Sequence, residues 1–237
     1  MTEQAAVTVM EDQSPKDRLL DAALGLAARR PWEDVSLADI AHEAHVSLGE
    51  LHAAFRDKLD ILVALSDRTD QQVLDTIDTE MSGEPPRERL FDVMMARFDA
   101  LRPHRAAVRS IANALARSPA DLIRLRDAGM RSMTWTLEAA GMDTGGQIGA
   151  LRAQGLAVVF ARTLRVWLED DDPGMAKTMV ALDRRLREGE RAMGFAEGLS
   201  RMFGRFGDIG RRGRYSRDRY DPRTPLDPEQ EGSGSGI

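Results

Sequence analysis

The chain has 237 residues, and its 42% hydrophobic and 30% charged residues, with a formal net charge of −6, are typical of a soluble globular protein. The sequence contains no cysteine, which excludes disulfides and thiolate metal sites. No apolar run reaches the ~18 residues that a membrane span needs. The N-terminal residues lack the basic region of a signal peptide, so we expect a cytoplasmic protein.

The first predicted element is a helix that starts after Ser14. The Ser14 hydroxyl can cap it, and Pro15 suits its first position. Apolar residues then recur at helical spacing on one face: Leu19, Leu20, Ala23, Leu26 and Ala27.

Residues 35–65 predict two short helices joined by a tight turn, followed by a longer helix. Ser36 and Ser47 can each cap a short helix, and His45 and Val46 form the turn. Three residues are expected on the inward face of the second helix: Leu48, Leu51 and Phe55. This pattern predicts a helix-turn-helix, whose second helix enters the major groove of DNA.

These residues resemble the DNA-binding domain of the TetR family of bacterial regulators. The positions that match the family pattern in register are Ser36, Asp39, Ile40, Ala41, Ala44, Val46, Ser47, Gly49, Leu51, Phe55, Lys58 and Ile61. The resemblance implies a transcriptional regulator, most simply a repressor, that binds a double-stranded DNA operator. His45 and His52 depart from the pattern, since the family usually has Gly and Tyr there.

The candidate DNA-binding residues lie on the predicted recognition helix and beside it. They are Ser36, Ser47, Leu48, Gly49, Glu50, His52, Arg56 and Lys58. Arg56 and Lys58 are expected to bind phosphates, and Glu50 could accept a hydrogen bond from cytosine. Residues 15–62, however, hold six Lys or Arg against nine Asp or Glu. The alternative is therefore a domain that keeps this scaffold without binding DNA.

The pattern stays helical after this motif and shows no strand-like alternation, so we expect an all-α fold. Further helices are predicted over 58–81, 87–101, 104–116, 119–140, 148–167 and 173–192. The predicted order is a disordered tail at 1–13, a three-helix DNA-binding domain at 14–66, a larger helical ligand-binding and dimerisation domain at 67–192, an amphipathic helix at 193–210, and a basic, then disordered, tail at 211–237.

The helices at 148–167 and 173–192 are apolar on more than one side, which indicates burial against a second copy of the chain. A homodimer would also place two recognition helices on half-sites about one helical turn apart. The candidate interface residues are Leu156, Val159, Leu164, Trp167, Met179, Leu182 and Leu186. A buried hairpin within a monomer is the alternative.

A stripe of methionine and aromatic residues runs along several helices of the larger domain. Its members are Phe91, Met94, Met95, Phe98, Met130, Met133, Trp135 and Phe160. They are candidates for an adaptable pocket that binds an apolar small molecule or lipid, although such a stripe is more often simply core.

The segment at 193–210 carries an apolar stripe at helical spacing: Phe195, Leu199, Met202, Phe203 and Phe206. Eight Arg against three Asp occupy residues 201–223. The profile fits a peripheral membrane contact, and equally a helix that packs back on the domain.

The layout of residues 149–186 is similar to that of the TetR-fold accessory proteins of ubiquinone biosynthesis, which bind an isoprenoid lipid at the membrane. A lipid-binding accessory protein is therefore the alternative function. No catalytic residue set, metal-ligand spacing or phosphate-binding loop is present in the sequence, so we expect no enzyme and no cofactor.

Overall fold

The computed structural model describes residues 14–77 and 83–191. Within these two ranges the chain is helical and contains no strand. The expected all-α fold is therefore confirmed.

The N-terminal part of the structure contains three helices and one short turn. Helix α1 covers Pro15–Arg29, a 3₁₀ turn covers Trp32–Asp34, α2 covers Leu37–Glu43 and α3 covers Leu48–Ala54. Each helix begins where the sequence predicts, because the hydroxyls of Ser14, Ser36 and Ser47 accept hydrogen bonds from N–H groups of the first turns of α1, α2 and α3.

The turn between α2 and α3 is tight, and His45 adopts the left-handed backbone conformation with a φ of 53°. The N–H of Val46 donates to the carbonyl oxygen of Ala41 at 3.0 Å, which closes the end of α2. A side chain at His45 makes this conformation less favourable than glycine would.

Leu51 and Phe55 are buried and attach α3 to the N-terminal core. The third residue expected on the inward face, Leu48, is 58% exposed, so that expectation was wrong. Leu48 is the first residue of α3, and its spacing puts it on the helical face of Leu51 and Phe55, so periodicity alone does not account for its exposure.

Six further helices follow within the described residues. They are α4 (Lys58–Thr76), α5 (Pro86–Leu101), α6 (Arg105–Arg117), α7 (Pro119–Ala139), α8 (Gly146–Leu168) and α9 (176–191). A 3₁₀ turn at Arg102–His104 joins α5 to α6. Two starts differ from the prediction by more than one residue: α8 begins two residues before Ile148, and α9 begins three residues after Pro173. The predicted end of α4 near Met81 was also wrong, since Ile77 is already extended.

The buried residues that the structure describes form two hydrophobic clusters. The first joins α1–α4 with Ala107 and Ile111 of α6, so α6 packs on the N-terminal helices. The second joins α5 with α7, α8 and α9 around Phe98, Trp167 and Leu182. The predicted domain boundary at residue 66 stays a prediction, because Leu65 packs against both clusters.

None of the helices that the structure describes is both long and apolar enough to cross a bilayer. The predicted tail at 1–13, the amphipathic helix at 193–210 with its five candidate membrane residues, and the tail at 211–237 lie outside the described residues.

Candidate DNA-binding face

The outward face of α3 is made of the residues that the sequence assigns to DNA binding. Leu48, Gly49, Glu50 and His52 are all exposed, while Leu51 lies beneath them in the core. A short helix that is buried on one side and exposed along the other has the geometry that major-groove recognition requires.

Glu50 and Ser47 close the start of α3 with a reciprocal pair of hydrogen bonds. The Ser47 N–H donates to the Glu50 carboxylate at 2.8 Å, and the Glu50 N–H donates to the Ser47 hydroxyl at 3.2 Å. The bond from the Ser47 backbone is the main cause that lowers the pKa of Glu50, so the carboxylate is ionised at neutral pH. Glu50 therefore positions the recognition helix and also places a negative charge on its outer face.

Ser36 and Asp39 form the same arrangement at the start of α2. The Ser36 N–H donates to the Asp39 carboxylate at 2.9 Å, and this bond is the main cause that lowers the pKa of Asp39. Ser36 and Ser47 are both exposed. Each hydroxyl can therefore contact a phosphate while it keeps its capping bond.

Three arginines of this region are held in ion pairs with carboxylates of the same region. Arg29 contacts Glu43 at 2.5 Å, and Arg30 contacts Asp39 at 2.6 Å. Arg56, expected to bind phosphate, is highly exposed and pairs with Asp60 at 3.0 Å. Such exposed pairs are weak, and a phosphate can compete for the arginine. The structure is thus compatible with phosphate binding by Arg56.

Lys58 does not face outward as expected. Its Nζ donates a 2.6 Å hydrogen bond to the carbonyl oxygen of Trp32 and lies 4.4 Å from the centre of the Trp32 ring. Burial is the main cause that lowers the pKa of Lys58. We correct the phosphate-binding assignment of Lys58, because its ammonium group is already bound within the protein.

Sequence reasoning missed two cations beside the recognition helix. The Nζ of Lys16 lies 5.9 Å from the centre of the Phe55 ring, just after α3, and Arg18 acts electrostatically on Glu50. Among the described residues no ion pair is found for either of them. The only sequence signal was their position in the first turn of α1, which does not reveal that α1 packs beside α3.

The candidate ligand-binding residues fall into three groups. Met94, Phe98 and Met133 are buried in the second cluster, and Phe91, Met95, Met130 and Phe160 are partly buried against it. Phe98 stacks on Phe160 at a centroid distance of 5.7 Å. Trp135 is 55% exposed and is removed from the set, because its side chain faces away from this core.

A buried polar network adjoins these aromatic residues. Arg97 of α5 is buried and pairs with Asp70 of α4, and it donates a 2.6 Å hydrogen bond to the Ser132 hydroxyl of α7. Its guanidinium also lies 5.2 Å from the Phe160 ring centre. The network links the partly buried aromatic residues to α4, the helix that follows the recognition helix.

The predicted dimer residues are also corrected. Leu156, Trp167, Leu182 and Leu186 are buried inside a single chain, so they cannot be the contact surface for a second copy. Val159 and Leu164 are partly buried against the same core, and Met179 is exposed. Sequence periodicity could not tell which apolar face of these helices the same chain covers, and a dimer contact through them stays a prediction.

Several apolar side chains of the same two helices are exposed. Leu151 and Val158 of α8 lie seven residues apart on one face, and Met179 and Val180 lie on α9. An open groove of about 750 Å³ runs between the two helices, and both apolar and charged side chains line it: Val166, Ala176, Val180 and Ala181 with Arg162, Lys177, Arg184, Arg185 and Glu188. Within the described residues, no cluster of three or more histidine, aspartate or glutamate side chains is arranged to hold a metal ion.

Comparison with known proteins places this geometry in context. A family model described as bacterial regulatory proteins of the tetR family matches residues 19–65. A TetR transcriptional regulator from Nitrosomonas europaea ATCC 19718 is 26% identical, with a TM-score of 0.61 over 75% of this chain and 99% of that one. A TetR transcriptional regulator from Rhodococcus sp. RHA1 is 20% identical, with a TM-score of 0.57 over 74% of this chain and 94% of that one. No curated protein matches the chain.

Proposed function

We propose that this chain is a TetR-type transcriptional regulator that binds a double-stranded DNA operator as a homodimer in the cytoplasm, since the family model of the DNA-binding domain matches residues 19–65. The comparisons give no support to a lipid-binding accessory protein of quinone biosynthesis, and we do not retain that alternative.

The observation that carries the proposal is the outer face of α3. Leu48, Gly49, Glu50 and His52 are exposed on a helix whose opposite side is buried, and the capping pair at Ser47 fixes where the helix starts. We assign base recognition to these four residues and phosphate contacts to Arg56 together with Lys16 and Arg18.

Dimerisation is proposed through the exposed apolar surface of α8 and α9. Leu151, Val158, Met179 and Val180 would be buried by a second copy, which removes apolar area from water. A two-fold symmetric contact of this kind brings the same patch of each chain together. Two recognition helices would then address a palindromic site.

Repression would be released by an apolar ligand that enters among Phe91, Met95, Met130 and Phe160. These side chains are only partly buried, and methionine adapts readily to a guest. A displaced Phe160 would disturb Arg97, which lies against its ring and pairs with Asp70 of α4. Movement of α4 would change the position of α3, because α4 starts four residues after α3 ends.

The test is a selection of duplexes from a random pool with the purified full chain. We expect an enriched palindrome with half-sites roughly 10 base pairs apart or a multiple of that spacing. A repressor should lower expression of a reporter placed behind this palindrome, and an activator should raise it. If repeated rounds enrich no sequence and the protein retains no duplex at low salt, the proposed function is wrong.

A further inference from the structure

Helix α6 contacts both hydrophobic clusters of the described residues. Ala107 and Ile111 are buried in the first cluster with α1–α4, and Val108 is buried in the second cluster with α5, α7, α8 and α9. α6 therefore lies between the helix-turn-helix and α8, which carries part of the proposed dimer surface. Because hydrophobic contacts have no preferred direction, hydrogen bonds are needed to fix the relative position of these parts.

The hydroxyl of Ser110 on α6 binds both ends of the connection between α1 and the following 3₁₀ turn. The Trp32 N–H donates to the Ser110 Oγ at 2.8 Å, and the Ser110 hydroxyl donates to the carbonyl oxygen of Arg30 at 3.2 Å. Trp32 is the first residue of the turn, so its N–H has no acceptor within the turn. Ser110 uses its one donor and one of its acceptor positions to fix residues 30–32 on α6.

Residues 30–32 are in turn attached firmly to the helix-turn-helix. Trp32 is buried in the first cluster, and the ammonium group of Lys58 at the start of α4 binds its carbonyl oxygen. Ser36, the cap of α2, follows four residues later. A shift of these residues along α6 would therefore move α2, and with it α3, which packs on α2.

A second polar contact of α6 fixes the end of α8. Arg105 donates a 3.0 Å hydrogen bond to the carbonyl oxygen of Leu168, and Arg109 donates to the same oxygen. Leu168 is the last residue of α8, where carbonyl groups lack partners within the helix and cations are favoured. The Arg105 guanidinium also lies 5.6 Å from the centre of the Trp167 ring. Both polar contacts thus come from residues 105–110 of one helix.

We propose that Ser110 is a positioning residue that fixes α3 relative to α8, together with Arg105 and Arg109, and thereby sets the spacing of the two operator half-sites. The inference rests on the proposed function, because spacing matters only when two copies joined through α8 and α9 read one duplex. One base pair of extra spacing moves a half-site by about 3.4 Å and rotates it by about 35°, so a small shift of α3 on α6 is enough to change the preference.

A positioning role and a purely stabilising role change different quantities. Loss of the Ser110 hydrogen bonds leaves the outer face of α3 intact, so the base preference and the affinity for a single half-site should stay at the wild-type value. The preference for one spacing over its neighbours should decrease, because the helix-turn-helix can then shift on α6. One or two lost hydrogen bonds permit a decrease of roughly three- to tenfold.

The experiment compares the full chain with Ser110→Ala. Anisotropy titrations use the selected palindrome, versions with the half-sites moved by one or two base pairs, and a duplex with a single half-site. Ser110→Thr keeps the hydroxyl and tests for rescue. Asn113→Ala is the matched control, because this exposed side chain of α6 has no hydrogen bond within the described residues, and alanine favours the helix at both positions. Hydrogen exchange of the Trp32 amide reports the contact itself.

We expect Ser110→Ala to reduce the affinity ratio between the preferred spacing and its neighbours roughly three- to tenfold, with faster exchange of the Trp32 amide and unchanged affinity for the single half-site. Ser110→Thr and Asn113→Ala should match the wild type in all three quantities. If Ser110→Ala does not fold, the double variant Arg105→Gln, Arg109→Gln alters the other contact of α6 and should show the same loss of spacing preference.

A wild-type spacing preference in the folded Ser110→Ala protein, or in the double variant, would overturn the inference and leave the proposed function intact. An equal loss of affinity for the palindrome and for the single half-site would also overturn it, because Ser110 would then only stabilise the domain. A wild-type chain that binds no duplex at low salt would overturn the proposed function itself.

Discussion

The ammonium group of Lys58 lies 4.4 Å from the centre of the Trp32 ring and donates a 2.6 Å hydrogen bond to the Trp32 carbonyl oxygen. Trp32 is buried in the turn between α1 and α2, and Lys58 is the first residue of α4. This contact ties the start of α4 to the turn that precedes the helix-turn-helix. A residue that the sequence assigns to phosphate binding therefore stabilises the domain.

Replacing Lys58 by Met should destabilise the protein without changing the salt dependence of DNA binding. The methionine keeps an unbranched side chain that is one atom shorter, but it loses the cation–π interaction and the charged hydrogen bond, together worth about 1–3 kcal/mol. Denaturant unfolding measures this destabilisation. Arg56→Gln is the matched variant: it should leave stability nearly unchanged, because its ion pair is exposed, and should make the salt slope shallower. The reverse pattern would restore the phosphate role of Lys58.

Replacing His45 by Gly should raise the free energy of unfolding by about 1 kcal/mol. His45 has a φ of 53°, and a side chain in this left-handed region costs about 1–2 kcal/mol relative to glycine. Thermal melting of the variant checks the sign. Val46→Gly serves as a control that should destabilise, since Val46 packs against the N-terminal core. A destabilised His45→Gly protein would mean that the imidazole makes a contact worth more than the backbone strain.

Replacing Gly49 by Ala should have opposite effects on stability and on DNA binding. A Cβ at this position would meet the Ser47 Oγ at 3.8 Å, an ordinary contact, so nothing within the described protein requires glycine. Alanine favours the helix by roughly 0.5–1 kcal/mol. On the exposed face the added methyl should hold the backbone of α3 away from DNA and weaken operator binding. Unchanged operator affinity would show that α3 does not approach DNA closely at this point.

Placing Asp at Val180 should separate the proposed homodimer while leaving the monomer folded. Val180 is 70% exposed in the single chain, so the charge is harmless there but would be buried without a partner in the interface. Sedimentation at micromolar concentration should show half the wild-type mass. Ile123→Asp is the matched control, since Ile123 is 73% exposed on α7 and outside the proposed surface. A wild-type monomer would reject the interface.

The N-terminal motif was the part that sequence predicted best. The caps at Ser14, Ser36 and Ser47 and the left-handed turn at His45 depend on residues within a few positions, so their signals are local. The helix starts followed from these signals and are confirmed. The exposure of Leu48 was missed because periodicity places it on the face of Leu51 and Phe55 but does not show where the cover of that face ends.

The residues of the dimer surface and of the ligand pocket were predicted less well, for a physical reason. Helical periodicity shows that one face of a helix is apolar, but it does not show which neighbouring element or chain covers that face. Trp167 and Leu182 therefore looked like an interface, although the same chain buries them, and Trp135 looked like core, although it is exposed. The contacts of Lys58 with Trp32 and of Arg97 with Asp70 join residues 26 and 27 positions apart and needed the fold itself.

The most direct test of the central claim, that the outer face of α3 reads the operator, is a repeated duplex selection with Glu50→Gln. Glutamine can keep the capping bonds to Ser47 while it removes the negative charge, so the helix stays in place. Asp39→Asn makes the equivalent change at the cap of α2 and serves as the control. The account predicts that Glu50→Gln alters the preferred base at symmetry-related positions of both half-sites and tightens binding, while Asp39→Asn selects the wild-type sequence. An identical selected sequence for Glu50→Gln and the wild type, with no change in affinity, would contradict it.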